Sequence, residues 1–266
     1  MVVAFVGCGA IGRQLAKALA AGKIPAVRLA GVCDREASRA LALAKALKPH
    51  PRVLGLTDLA RNCDLLIETA SMAAVPEVAG AALAQHRDLL VLSVGALIGT
   101  TDWFARFAKA GCRLYHPSGA VAGLDGLRAA AVLGGLRQVT LTTRKPPAGL
   151  AGAPYFTTRK LNPLTLKRPT VIFSGSARRA VKAFPQNINV AAAVSLAGLG
   201  PDKTRVQIIA DPAARRNAHT IAARGTFGTL TTTTENFPSE DNPKTSVLAG
   251  LSALALIAEL ARERTR

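Results

Sequence analysis

The stretch from Val2 to Ala20 leaves a chain like this little choice of fold. Val2-Val-Ala-Phe-Val6 is an apolar, partly β-branched run that reads as a buried strand. Gly7-Cys-Gly-Ala-Ile-Gly12 follows without a break, and Arg13 to Ala20 contains good helix formers throughout. Strand, glycine turn and helix in that order form the fingerprint of a dinucleotide-binding unit. Each glycine has its own reason to be there. Gly7 permits the tight turn, Gly9 lets a pyrophosphate approach the backbone, and Gly12 lets the helix lie close on the strand. The amides around Ala10 and Ile11 then face the phosphates, where the helix dipole favours negative charge.

A second strand-like run, Val27 to Cys33, ends at Asp34. That is where such a unit places an acid for the ribose hydroxyls, although an aspartate there can equally cap the next helix. Its charge repels a 2′-phosphate and so favours NAD. Arg35 beside it can pair with that phosphate, and the cofactor expected is therefore NAD or NADP.

Strands and helices go on alternating to about residue 117. Helix-like Ala37–Leu47, Val75–Ala84 and Asp102–Ala110 separate the strand-like runs Asp64–Glu68, Leu89–Val94 and Cys112–His116. This is the pattern of an α/β Rossmann fold with a doubly wound parallel sheet. After Pro117 the pattern changes to Thr-rich runs of period two at 138–143, 170–173, 204–210 and 228–234, with an Ala-rich helix at 189–198. A second, α+β domain with a mostly antiparallel sheet is predicted. Pro146, Pro147 and Pro154 mark 146–163 as a loop and a candidate mobile lid. Asn242-Pro243 is expected to open a last helix that packs back on the first domain. The expected division is a dinucleotide domain, 1–117 with helix 243–262, and a substrate and dimerisation domain, 118–242, with the catalytic cleft between the two.

A formal charge of +18 raises the question of nucleic acid. The Lys and Arg residues are spread along the chain, however, and aromatics are only 4%, which leaves few platforms for stacking bases. The charge suits attraction of a small dianionic substrate instead. The longest apolar stretch, Val247 to Leu260, is interrupted by Ser252 and Glu259, too short to span a bilayer. The amino-terminal apolar run leads straight into the phosphate loop and reads as a strand rather than a secretion signal. Cys8, Cys33, Cys63 and Cys112 form no Cys-x-x-Cys pair and suit a reducing cytoplasm. With the four histidines scattered, no metal site is expected.

Hydride transfer needs a partner that moves protons, and His219, just before a predicted strand, is the best placed histidine. By position alone it is as easily a surface histidine near a turn. His50 sits between two prolines, His86 at a helix end and His116 at a strand end. Asn189 directly precedes the Ala-rich helix, either as its N-cap or as an amide directed at a ligand.

Taken together, several motifs resemble the L-aspartate dehydrogenase family. They are Gly7 to Gly12, Ser93-Val-Gly-Ala96, Thr143-Arg-Lys-Pro146, Phe184-Pro-Gln-Asn-Ile-Asn-Val-Ala191, Ser195-Leu-Ala-Gly198, Ile209-Ala-Asp-Pro212, Asn217-Ala-His219 and Asn242-Pro-Lys-Thr-Ser246. The resemblance runs in order over nearly the whole chain. It implies a Rossmann domain, a second domain whose sheet makes a dimer contact, and NAD or NADP as cofactor. It also implies that His219 is the active-site residue and that Ala120 and Asn189 contact the nicotinamide cofactor. The implied reaction is reversible oxidative deamination of L-aspartate to iminosuccinate, and then to oxaloacetate and ammonia, with a possible supply role in NAD synthesis. Two substrate carboxylates call for cations or donors, and Lys145, Asn187, Lys244 and Thr245 are the candidates. The alternatives are a two-domain imine reductase of the dihydrodipicolinate reductase type and a non-catalytic, NAD-binding DNA regulator.

Overall fold

The computed structural model describes residues 1–185, 188–239 and 242–264. The chain forms two compact units. One runs from Met1 to Pro117 and takes in the chain end from Gly250; the other runs from Ser118 to Ala249.

The first unit carries strands β1 (Val2–Val6), β2 (Arg28–Cys33), β3 (Arg52–Val53), β4 (Leu65–Glu68), β5 (Asp88–Val91) and β6 (Leu114–Tyr115). They make one parallel sheet in the order β3-β2-β1-β4-β5-β6. The connecting helices are α1 (Ala10–Ala20), α2 (Ala37–Ala46), α3 (Leu56–Arg61), α4 (Val75–Ala84) and α5 (Trp103–Lys109). Helices on both faces bury the central strands, so β4 is buried at all four positions and its sequence is almost wholly apolar. Val3, Phe5, Leu15, Leu65, Ile67 and Leu90 form the core. The last helix joins the same core through Ala253, Ile257 and Leu260. Strand order reverses between β1 and β4, and a sheet of this kind binds ligands at the carboxyl ends of those two strands.

The second unit holds α6 (Leu124–Val132), β7 (Leu136–Lys145), α7 (Pro154–Arg159), β8 (Thr170–Ser176), α8 (Ala177–Ala183), α9 (Asn189–Ala197), α10 (Gly200–Lys203), β9 (Arg205–Ala210), β10 (Asn217–Gly225) and β11 (Gly228–Asn236). Its five-stranded sheet has the order β11-β10-β7-β9-β8. The pairing is antiparallel except between β7 and β9, so the sheet is mixed and mostly antiparallel.

Three expectations change here. His219 lies inside β10 rather than ahead of a strand. The chain from Asn242 to Ser246 is a strand, β13, paired with β12 (Pro238–Ser239). The final helix, α11, therefore starts at Val247 and runs to Glu263. The stretch from 146 to 163 is not an unstructured loop. It folds into a short 3-10 turn and α7, burying Leu150, Ala153 and Phe156. Tyr155 stacks on Phe184 at 4.9 Å between ring centroids, and Phe156 and Phe173 meet Phe184 edge-on. Those aromatic contacts outweigh the turn-forming prolines.

Candidate active site

In the first unit, the carboxyl ends of β1, β2 and β4 border a cleft of about 560 Å³ lined by Gly7, Gly9, Asp34, Arg35, Thr69 and Ser71 among others. Two glycines are obligatory for packing. A Cβ on Gly7 would lie 2.6 Å from the Ala70 amide nitrogen, and Gly7 has φ +103°. A Cβ on Gly12 would lie 2.2 Å from the Gly7 carbonyl oxygen. Gly9 is different. It caps α1, and nothing stands within 4 Å of its would-be Cβ. That open space over the helix start, next to Ala10 and Ile11, fits a pyrophosphate.

Asp34 holds the rim together. The Cys8 N–H donates to its Oδ2 at 2.7 Å and the Glu36 N–H donates to Oδ1 at 2.9 Å. Each oxygen keeps acceptor capacity for a ribose hydroxyl. Arg35 lines the same cleft, and so does Arg39, paired with Glu36 at 2.8 Å. The residues present fit a nicotinamide dinucleotide of either kind.

Glu68, next to the cleft-lining Thr69, is fully buried at the end of β4. It accepts hydrogen bonds from the Ala70 N–H, the Ser93 N–H and the Ser93 hydroxyl at 2.8–2.9 Å. Burial raises its carboxyl's pKa, and the bonds from Ser93 and Ala70 pull it back. This carboxylate ties together the loops that follow β4 and β5.

The second unit supplies a row of buried polar side chains on one face of its sheet. His219 in β10 stands opposite Thr143 of β7 and Thr234 of β11. Two residues along on the same face are Lys145 in β7, Asn217 in β10 and Asn236 in β11. His219 is 2% exposed, Lys145 3% and Asn217 0%, so water contributes little to their solvation. The Thr143 hydroxyl lies 3.0 Å from His219 Nδ1. Thr234 and Asn236 both donate to the Ala120 carbonyl, at 2.7 and 3.0 Å. Asn217 Nδ2 donates to the Ser246 hydroxyl at 3.3 Å, while Asn217 Oδ1 has no partner. An unmet buried acceptor costs about 1–3 kcal/mol.

Burial, with the neighbouring Lys145 charge, pushes the His219 pKa down to about 3. Burial alone lowers Lys145 to about 8. The imidazole is therefore neutral near pH 7, and one ring nitrogen carries a free lone pair.

The remaining expected residues are placed unevenly. Asn189 is half-buried and is the first residue of α9, whose N-cap is Ile188, so it is not the cap. Thr245 is half-buried in β13. The backbone of Lys244 lies in β13, but its side chain is outside what the structure describes, and Asn187 lies outside the described residues altogether. Among the described residues no cluster of His, Cys, Asp and Glu could hold a metal, and no helix is long and apolar enough to cross a membrane.

Comparison with known proteins matches both halves of the chain. Residues 125–260 fit the family model described as aspartate dehydrogenase, C-terminal, and residues 7–117 fit that of the homoserine dehydrogenase NAD binding domain. The chain is 47% identical to an L-aspartate dehydrogenase of Methanosarcina acetivorans, covering 97% of this chain and 96% of that one. The chain belongs to the aspartate dehydrogenase family. A Methanocella arvoryzae L-aspartate dehydrogenase is 43% identical over 97% of this chain and 96% of its own. In structure, the aspartate dehydrogenase of Thermotoga maritima matches with a TM-score of 0.75 at 27% identity, over 98% of this chain and 96% of that one.

For a member of the aspartate dehydrogenase family, the sequence reading overlooked Thr143, Asn217, Thr234 and Asn236. Thr143 and Asn217 stood within quoted motifs, yet nothing local showed that they share a face. Their signal is pairing across strands, with Thr143 and His219 76 positions apart in sequence.

Proposed function

We propose that this protein oxidises L-aspartate with NAD or NADP, and that His219 is the proton-transfer residue. The supporting observation is a buried imidazole on the same sheet face as a buried lysine, where burial favours the uncharged ring. A bound nicotinamide dinucleotide would supply the hydride acceptor for Cα of the amino diacid, whose oxidation gives iminosuccinate.

Gly7, Gly9, Ala10, Ile11 and Gly12 hold the pyrophosphate, Asp34 receives the ribose hydroxyls, and Arg35 faces any 2′-phosphate. Ala120 and Asn189 serve the nicotinamide half; Thr234 and Asn236 fix the Ala120 carbonyl for that task. Lys145, with Asn187, Lys244 and Thr245, receives the two carboxylates.

His219 accepts a proton from the water that adds to the imine carbon. It returns that proton to the departing nitrogen, giving oxaloacetate and ammonia. The reacting nitrogen must be bare, so Nδ1–H donates to Thr143 Oγ1 and Nε2 keeps its lone pair. Burial, the larger cause of the lowered His219 pKa, still holds it down. A carboxylate settling beside Lys145 offsets the lysine's charge, the lesser cause, and raises the proton affinity of the ring. Substrate binding thus prepares the base that acts on it.

We infer further that the protein works as a homodimer in the cytoplasm. Four free cysteines suit a reducing compartment, and light scattering should give twice the 27.6 kDa chain mass. The deciding assay follows reduced coenzyme with L-aspartate and each coenzyme in turn. L-Aspartate should be turned over and other amino acids should not. His219→Ala should lose about a hundredfold or more in turnover while still binding coenzyme. No turnover of L-aspartate, or a His219→Ala variant as fast as the parent, overturns the reading.

A further inference from the structure

On this polar row one buried side-chain oxygen stands without a partner. Thr143 holds the His219 ring, Thr234 and Asn236 hold the Ala120 carbonyl, and the Asn217 amide group donates to Ser246. Asn217 Oδ1 is left as a buried acceptor without a donor. A polar atom in that position calls for an explanation. It belongs to β10, two residues from His219 on the same face, and its residue is wholly screened from water.

The reaction provides the matching donor. The substrate carries two carboxylates, which take cations, and one nitrogen, whose N–H groups need an acceptor. Lysine has no acceptor atom, and the one bare nitrogen of His219 is committed to the proton it takes from water. We propose that Asn217 Oδ1 accepts a hydrogen bond from the substrate nitrogen and makes the site select nitrogen over oxygen at Cα. This rests on the reading of the His219 face as the chemical centre.

The selection follows from the bonding on each side of the reaction. The neutral amine uses its lone pair to form the C=N bond as the hydride leaves with its electron pair, and the nitrogen still carries hydrogen to donate. An alcohol in the same place loses its only O–H proton on becoming a ketone. Its oxygen would then present lone pairs to the lone pairs of Oδ1. A site built to hydrogen-bond a substrate N–H rejects the analogue that lacks it, because the protein's own buried polar group stays unpaired. Iminosuccinate is therefore reduced in preference to oxaloacetate, and malate does not accumulate.

The test compares Asn217→Leu, Asn217→Asp and Ser246→Ala in the reductive direction. Ammonium is varied against fixed oxaloacetate and NADH, malate is measured without ammonium, and NADH binding and Tm are recorded. Asn217→Leu removes the acceptor and should raise the KM for ammonium at least tenfold, with NADH binding unchanged. The malate formed relative to aspartate should also rise. Asn217→Asp keeps an acceptor oxygen and should stay within a few-fold of the parent in ammonium KM. Ser246→Ala removes only the other contact of the amide and should leave ammonium KM near the parent value. The proposal is overturned if Asn217→Leu leaves ammonium KM and malate formation unchanged. Equal effects of Ser246→Ala and Asn217→Leu overturn it too, since they would mark a packing role. His219→Ala run in parallel separates the two ideas. Lost turnover there beside an unaffected Asn217→Leu removes Asn217 alone, whereas full turnover in both removes the reading of the face.

Discussion

Thr143 and His219 face each other on paired strands 3.0 Å apart, and in the proposed mechanism the ring donates to Thr143 and leaves Nε2 free. Thr143→Val keeps the branched shape and loses the hydroxyl, so the ring can turn or take the other tautomer. The expected result is a fall in kcat of about tenfold or more, within the range general acid–base catalysis supplies, at nearly unchanged coenzyme affinity. Thr143→Ser returns the oxygen and should recover most of the rate; a serine variant as slow as the valine one would assign Thr143 to packing. The same imidazole ties stability to pH. Its pKa is lowered on folding from 6.5 to about 3. Between those values the unfolded chain binds the extra proton, so this group's contribution to stability is lost as pH falls from about 6.5 towards 3. His219→Gln lacks that linkage. Denaturant melts should show a shallower acid slope for the variant, and parallel slopes would mean that the folded ring protonates normally.

At the scale of the element, strand β1, its glycine turn and α1 separate folding from binding within three glycines. Gly12→Ala drives a Cβ against the Gly7 carbonyl and Thr69, so both Tm and dinucleotide affinity should fall. Gly9→Ala meets no protein atom and has φ −72°, which any residue adopts, so Tm should hold while dinucleotide binding drops tenfold or more. A Gly9→Ala variant that binds as the parent does would place the pyrophosphate elsewhere. This loop was readable from sequence because its constraints are local. Buried parallel strands are continuous apolar runs, and glycines mark where backbone meets backbone. Strand β10 was not readable in the same way. Its inward residues at the start are Asn217 and His219, so the usual alternation of apolar inside and polar outside is reversed at the candidate site. Strand β13 was hidden by Asn242-Pro243, which mimics a helix start although the chain pairs with β12 first. The candidate residues break the local rules, and only pairing across strands restores the pattern.

The whole molecule adds a field that no single residue accounts for. With 34 Lys and Arg against 16 Asp and Glu, the chain is strongly cationic near neutral pH, and its surface draws anions. L-Aspartate presents two carboxylates and NADP one phosphate more than NAD, so both should feel this attraction. Salt screens exposed charges beyond about 10 Å at 0.1 M, whereas contacts with buried Lys145 are screened far less. Raising ionic strength should therefore increase KM for L-aspartate several-fold while kcat stays within about twofold. The NADP KM should rise more steeply than the NAD KM. Lys145→Met separates this long-range effect from the local one. It should raise the substrate KM at every salt concentration yet leave the slope against salt unchanged, because the remaining cations still set the field. If KM does not respond to salt, the excess charge has no part in gathering substrate. If the slope disappears with Lys145 alone, one buried amine rather than the cationic surface supplies the attraction.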